Sequence, residues 1–520
     1  MKRSFALDHR KALVYALAFV AVLTVYLLRA TASGLWFDES IEFYFSSTLR
    51  GPVPGAHRDY SMYERILLTY QPPLYNVLMY GWISVCDSEF WFRLAGIITT
   101  LIGGAGIYFA LKEIMNRDWA AAGSMVYLLA GGVSEYALEA GEYNLMMCML
   151  CWTLCFYLRA RKRENACSLF GFFVFACLAA YSQYGAVFMI VPMYVSLLIH
   201  FLRQKKKIGE LILFSFLAAV AAGLLVFYFL LPQMNRQASA MNSHVPVFVY
   251  GPVDIFVSLA KTVAFSFRGG KWIQPLVVAP AGLMMLSALP QKNKTLLNLA
   301  LLFALGWAAY YLLTACSVYG YNGTWNALSV GTANIGGRYS LMFAPLLSVM
   351  IVYGVYCACV DKPQWKKRIG LKKMTAFALC LLILYSAVGV GSIMATKKKD
   401  DIREAVDAWY AEEVYQSRTL VNKWDDALFQ FYLTHHADYS DSYQEKVILA
   451  PWWETTNEAM MAEALDKLGL LTADDFYYLS KSSDDYEAHF NSFRQVLSDH
   501  GFAVVDMYRG ASALVHAVRK

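Results

Sequence analysis

Charge is scarce in this 520-residue chain: Asp, Glu, Lys and Arg together make up 16% of it, where a soluble domain carries about a quarter. That shortage excludes a disordered chain and a basic nucleic-acid-binding domain, both of which need abundant charge. It is equally foreign to an ordinary cytosolic enzyme. Cysteine is missing from residue 400 onward, all ten lying earlier, so no disulfide framework holds the C-terminal segment. Gly-rich phosphate cradles are missing too. Neither GxGxxG nor GxxxxGK[ST] occurs, which argues against an ATP-driven pump. What is plentiful is apolar: 58% hydrophobic and 15% aromatic residues, with a mean hydropathy of +0.40. These residues form long blocks between short charged clusters until the pattern stops near Lys397. That pattern is a polytopic membrane protein with a soluble tail.

The charge divides the same way. Residues 1–399 hold 35 basic and 17 acidic residues, net +18, and residues 400–520 hold 10 and 22, net −12. A basic excess over a membrane segment is a topological signal, because cytoplasmic loops collect Lys and Arg; it needs no nucleic acid partner. After the basic start MKRSFALDHRK, Ala12–Ala30 is predicted as a retained first span. Ten more follow, near Trp91–Leu111, Trp119–Ser134, Tyr143–Leu158, Cys167–Tyr184, Ala186–Leu202, Leu211–Leu231, Trp272–Leu289, Thr295–Ala315, Tyr339–Val360 and Thr375–Met394. Eleven spans put the clusters Arg159–Arg163, Arg203–Lys207, Lys292–Lys294 and Lys362–Lys373 on the cytoplasmic side with the N-terminus, and the tail outside. Lys397, Lys398 and Lys399 fall outside and run against the rule. Gln71–Val85, with its Pro-Pro start and aromatics, reads as a helix lying on the outer membrane surface. The expected domains are therefore a membrane domain over residues 1–399, with a first outer loop at 31–90, and a soluble extracytoplasmic α/β domain over 400–520.

Chemistry belongs on the outer face, where the loops are long. Trp36-Phe37-Asp38-Glu39-Ser40 sets two acids at the membrane edge, where a carboxylate must be solvated, paired or functional. Gln71-Pro72-Pro73-Leu74-Tyr75 opens a helix with Pro in its first turn. Glu135, Glu139 and Glu142 cluster at an outer helix end in the run Glu135-Tyr136-Ala137-Leu138-Glu139-Ala140-Gly141-Glu142-Tyr143. Gly336-Gly337-Arg338-Tyr339-Ser340, with Pro345 downstream, begins a late span. An Arg there serves as a snorkelling anchor or as a holder of a lipid phosphate. Each motif also has a plain reading as a solvated loop or an interfacial anchor. Cys148, Cys151 and Cys155 have helical spacing with no His, Asp or Glu among them, so they read as small packing residues.

In this order the four motifs resemble those of the GT-C membrane glycosyltransferases, in the branch of the protein O-mannosyltransferases and lipid A aminoarabinose transferases. The resemblance covers roughly residues 12–400. It implies an all-α membrane domain of about eleven helices with an extracytoplasmic tail. It also implies an inverting transfer of a sugar from a polyprenyl-phosphate donor to a hydroxyl acceptor on a protein, a glycolipid or a cell-wall polymer. A carboxylate would take the acceptor proton, and fixed cations would stabilise the departing phosphate. The resemblance assigns the base to Asp38, with Glu39 its rival one register on. It assigns the phosphate to Arg338 first, then to Arg268 and Lys271, then to Arg58 and Arg65. Tyr75, Glu139, Glu142, Tyr143 and Tyr339 are expected to line the substrate. Two departures stand out: Gly141 and Gln71 occupy places where the branch has Arg and a basic or His residue, the latter replaceable by His57 or Arg58. A divalent cation is compatible with the superfamily, but no ligand set is legible.

In the tail, Asp401–Val414 and Glu454–Leu468 read as helices, and Val447–Trp453, Phe502–Tyr508 and Ala513–Val518 as strands. Trp452 and Trp453 read as core or interface aromatics, with sugar stacking the alternative, and His435-His436 as surface. By position the tail would sit over the outer site and help select the acceptor. The competing functions are a lipid or glycan flippase, for which no internal repeat or mid-span charge speaks, and an oligosaccharide ligase or polymerase of the same architecture.

Overall fold

A computed structural model describes residues 2–47, 60–69, 71–240, 252–269, 273–288, 293–315, 337–361, 371–395, 401–422, 425–451, 456–481 and 487–520. The chain forms two compact units. One comprises Met1–Ala30, Ile66–Leu78 and Arg93–Thr396; the other comprises Thr31–Arg65, Met79–Phe92 and Lys397–Lys520. Most of the first outer loop, assigned on sequence to the membrane domain, is thus counted with the C-terminal segment.

The first unit is helical. Among the described residues six helices are long and apolar enough to cross a membrane: Glu89–Lys112, Tyr184–Gln204, Ile208–Arg236, Lys294–Thr314, Arg338–Val360 and Ala376–Met394. Leu13–Arg29, Ala166–Ser182 and Ile273–Ala288 are shorter apolar helices. At the centre lies Ala344–Tyr356, buried at every residue but the last. It reads apolar all round because it is surrounded all round. Ile208–Leu225 is the opposite case: only Leu211 and Leu225 are buried, and Phe216, Leu217 and Val220 face outward, as on a lipid-facing helix. Glu142–Arg163 carries the cysteines, and Cys148, Cys151 and Cys155 are buried. Two of them meet glycines of Glu89–Lys112: a Cβ on Gly103 would stand 3.3 Å from the Cys148 Cα, and one on Gly106 would stand 3.0 Å from the Cys151 Cβ. Small residues on both sides let these helices approach closely.

The predicted span Trp119–Ser134 is not one helix. Arg117–Leu128 ends, Ala130 is extended, and Gly131–Ala137 starts anew. The cause is local: a Cβ on Gly131 would overlap the Arg268 carbonyl, and one on Gly132 would stand 2.5 Å from the Phe265 carbonyl, so the glycines admit a neighbouring backbone. The surface helix expected within Gln71–Val85 is Leu74–Ile83. Its ten residues are about 15 Å long, half the thickness of a hydrocarbon layer.

The second unit carries a five-stranded sheet: β1 (Thr419–Val421), β2 (Val447–Leu449), β3 (Asp475–Lys481), β4 (Phe502–Arg509) and β5 (Ser512–Arg519), in the order β2-β1-β3-β5-β4. β1 pairs in parallel with β2 and β3, while β5 runs antiparallel between β3 and β4. Leu420, Phe476, Tyr478, Phe490, Phe493, Leu497 and Val515 form its core. His435 is exposed and His436 half-buried, as a surface pair would be, and each also stacks on a neighbouring ring. The first lies on Phe431 with 4.2 Å between ring centres, and the second on Tyr410 with 3.7 Å.

Candidate active site

In the helical unit the site grows out of a break in a helix. Where Arg117–Leu128 stops and Gly131–Ala137 starts, backbone groups lose their intrahelical partners, a loss that is costly away from water. Gln274, fully buried, makes it good: its Nε2 donates to the Leu129 carbonyl at 2.6 Å and its Oε1 accepts from Gly131 N–H at 2.8 Å. At the other end of the short helix, buried Asn144 donates through Nδ2 to the Tyr136 carbonyl and, at 2.9 Å, to the Glu139 carbonyl. Two neutral amides thus hold the turn that carries Glu135, Glu139 and Glu142.

Glu139 and Glu142 are buried, 7% and 6% exposed. Glu142 sits in the first turn of Glu142–Arg163, where the helix dipole favours a negative charge. Glu135 pairs with Arg268, whose guanidinium also lies 3.9 Å from the Phe265 ring centre. Arg338 opens a short 3-10 segment, Arg338–Phe343, that leads into the central helix Ala344–Tyr356, and its guanidinium lies 5.5 Å from the Tyr339 ring centre. Three tyrosines join the charges: Tyr136 packs edge-on against Tyr143 at 5.2 Å, and Tyr143 packs against Tyr339 at 6.4 Å. The Tyr136 hydroxyl is within electrostatic reach of Glu139, Arg338, Glu135 and Arg268, and that of Tyr143 within reach of Glu142 and Arg338. Two cations, three carboxylates and three phenols therefore share one neighbourhood. Fixed guanidinium groups in such a place can hold a phosphate, and carboxylates and phenols can hold sugar hydroxyls.

The two acids of the first outer loop lie in the other unit, in the helix Phe37–Ser47. Their surroundings differ. The Trp36 carbonyl accepts the first bond of the helix, from Ser40 N–H at 3.0 Å, so Trp36 is its N-cap. Glu39, 1% exposed, reaches back to accept the Trp36 N–H at 3.2 Å. That is the return half of a capping box. Asp38 beside it is half-buried. Arg65, one of the sequence candidates for phosphate, is fully buried and donates to the Tyr60 carbonyl at 3.2 Å and the Tyr44 carbonyl at 3.1 Å. Its charge serves the C-terminal end of the same helix.

Of the sequence candidates, the structure brings together Arg338, Arg268, Glu139, Glu142, Tyr143 and Tyr339. Tyr75 is buried in Leu74–Ile83. Lys271, Arg58 and His57 lie outside the described residues, as do Trp452 and Trp453. Sequence reasoning left out Tyr136, Asn144 and Gln274. A tyrosine in an apolar run reads as packing, and neutral amides carry no motif. It also left out Gln233, which donates to the carbonyls of Ile66 and Gln71 at 3.0 and 2.8 Å and accepts the Tyr184 hydroxyl at 2.7 Å, so fixing the Gln71 turn. Among the described residues no three His, Cys, Asp or Glu side chains converge to hold a metal ion.

The sequence model of the dolichyl-phosphate-mannose-protein mannosyltransferase family matches residues 70–232. No curated protein matches the chain by sequence. The structure of ArnT from Cupriavidus metallidurans in the apo state superposes with a TM-score of 0.56 at 14% identity, covering 97% of this chain and 98% of that one. The same protein bound to undecaprenyl phosphate gives 0.50 at 12% identity, covering 96% and 98%. The chain thus shares the fold of the GT-C membrane glycosyltransferases, and its residues 70–232 match the mannosyltransferase family model.

Proposed function

We propose that this protein is a glycosyltransferase that moves a sugar from a polyprenyl-phosphate donor to a hydroxyl acceptor at the outer face of the membrane, with inversion at the anomeric carbon. The observation that carries the reading is the gathering of Arg338 and Arg268 with Glu135, Glu139 and Glu142 around Tyr136, Tyr143 and Tyr339. Undecaprenyl phosphate on a structural neighbour supports the donor class. Asp38 takes the acceptor proton as the acceptor oxygen bonds to the anomeric carbon. The bond from that carbon to the phosphate oxygen breaks, and its electron pair leaves with the lipid phosphate. Arg338, with Arg268 in support, stabilises that charge. Phosphate is a good leaving group, so one carboxylate suffices and a second carboxylic acid is not needed. Glu139 and Glu142 bind sugar hydroxyls. Asp38 is preferred to Glu39 as the base because the Glu39 carboxylate already accepts the Trp36 N–H of its own helix start.

The test is a transfer assay with a polyprenyl-phosphate sugar. Asp38→Asn is expected to lower turnover by about 10²–10⁴-fold with expression and folding intact. Arg338→Ala is expected to weaken donor binding by about 10–100-fold, the worth of one charge-assisted contact. Near-normal turnover in the first variant removes Asp38 from the mechanism, and unchanged donor affinity in the second removes Arg338.

A further inference from the structure

The helix that bears Asp38 does not stand alone. It is gripped at two points by residues more than 300 positions away in the sequence and belonging to the same unit. The first point is the strand of chain leading into it. Arg403 pairs with Glu89 and donates through Nη2 to the Ser33 carbonyl at 3.3 Å and through Nη1 to the Thr31 carbonyl at 3.4 Å. Its guanidinium also lies 5.6 Å from the Tyr432 ring centre. The Tyr432 hydroxyl donates to the same Glu89 carboxylate at 3.3 Å and accepts the Leu35 N–H. The second point is Phe43, whose ring meets Phe431 edge-on at 4.8 Å, Phe92 at 5.5 Å and His435 at 5.7 Å. Asp38 lies between the grips, three residues past Leu35 and five before Phe43. At 1.5 Å per residue, that puts it about 7.5 Å along the helix from the Phe43 anchor.

We infer that the C-terminal segment holds the acid helix in place, and that Arg403 is the positioning residue through which it sets Asp38. The inference rests on the function proposed above. Arginine suits the task because its planar fork meets a carboxylate and two carbonyls at once, where a lysine ammonium offers a single point of charge. The side chain is 30% exposed and that of Glu89 12%, so the pair is shielded enough to keep its geometry. Proton transfer tolerates little error: a displacement of about 1 Å costs up to about 10²-fold in rate. A segment that merely selected the acceptor would need none of these contacts to the loop bearing the acid.

The experiment uses the full-length protein in lipid nanodiscs and measures kcat, donor KM and acceptor KM. Arg403→Ala is expected to lower kcat about 10–100-fold with both KM values within twofold of wild type, and Arg403→Lys to recover only part of the loss. Because Arg403→Ala also risks folding, Tyr432→Phe is the second variant. It keeps the ring and removes only the hydroxyl between Leu35 and Glu89, and it is expected to lower kcat about threefold to tenfold. The deciding measurement is the double variant Arg403→Ala with Asp38→Asn under single turnover. If Arg403 acts through Asp38, its loss adds less than twofold once the carboxylate is gone. An equal fall in both backgrounds, or a fall seen only in acceptor KM, overturns the positioning role while leaving the proposed reaction standing. Near-normal turnover of Asp38→Asn alone overturns both.

Discussion

Two adjacent acids in different surroundings allow the proposed chemistry and folding to be separated by single substitutions. Glu39 accepts the Trp36 N–H and is buried, so Glu39→Ala removes a cap partner and leaves a donor unanswered. Losing a cap costs about 1 kcal/mol, and an unpaired, largely desolvated donor adds about 1–2 more. The expected loss is about 2–3 kcal/mol of stability in the unit that contains the helix. Glu39→Gln keeps an acceptor oxygen of the same reach, as capping boxes allow, and should cost under about 0.5 kcal/mol. Asp38→Asn keeps the size of the side chain and one acceptor oxygen, and a half-buried exchange of this kind moves stability by about 0.5 kcal/mol or less. Its turnover, however, should fall by about 10²–10⁴-fold. The assay is paired: thermal unfolding of each purified variant, and transfer from a lipid-linked sugar normalised to folded protein. Glu39→Gln should sit beside wild type in both. If Glu39→Gln instead loses as much turnover as Asp38→Asn while unfolding normally, the two roles have been assigned the wrong way round.

Gln274→Leu keeps volume but abandons the Leu129 carbonyl and the Gly131 N–H. It is expected to cost about 2–4 kcal/mol, read as a lowered Tm, with Gln274→Glu recovering little because a carboxylate cannot donate to Leu129. Gly141 is extended, φ −173°, and a Cβ there meets nothing within 4 Å, so Gly141→Ala and Gly141→Arg should both unfold at the wild-type temperature. Burial pushes the Glu113 carboxyl up, but Arg159, Arg163 and Lys162 outweigh it and hold it below its ordinary 4.5. Its folded value is depressed, so its contribution is complete above pH 4.5 and fades as the pH falls from there through the folded value. A pH series of unfolding temperatures should show that acid-side loss in wild type and a shallower one in Glu113→Gln.

The membrane portion was legible because its signal is additive. Twenty apolar residues between basic clusters announce a span whatever they pack against, and the helices from Glu142–Arg163 onward lie close to where hydropathy put them. The break at Ala130 escaped because two glycines in an apolar run look like a permissive stretch of helix. Only the backbone of residues 265–269 against them explains why the helix stops. In the C-terminal segment β4 and β5 were found because each is eight residues long and rich in Val and other apolar residues, enough to read as a strand. β1 has three residues, all buried, and no period can be read from three positions. β3 begins with Asp475 and ends with Lys481, and its charged ends hide the buried core of Phe476, Tyr478 and Leu479.

The site shows a sharper version of the same divide. Every residue that sequence reasoning nominated was charged or aromatic, because such residues are expensive near a membrane and so invite explanation. Those residues need a fixed backbone beneath them, and the fixing is done by neutral amides: Gln274 and Asn144 under the glutamates, Gln233 under the Gln71 turn. An amide both donates and accepts, so one side chain answers two orphaned backbone groups without adding a charge that would have to be desolvated. A charged residue in the same place would disturb the fields of Arg338 and Arg268 that the chemistry needs. The division of labour therefore follows from electrostatics. Under the proposed function Arg338 and Arg268 serve the ligand while amides hold the backbone of that unit; in the other unit Arg65 and Arg403 hold backbone carbonyls themselves, and only the charged groups stand out in a single sequence. Glu39 is a further case: it looks like chemistry because it is charged, yet its carboxylate accepts a backbone N–H as an amide oxygen would, and Glu39→Gln tests whether that is its whole duty.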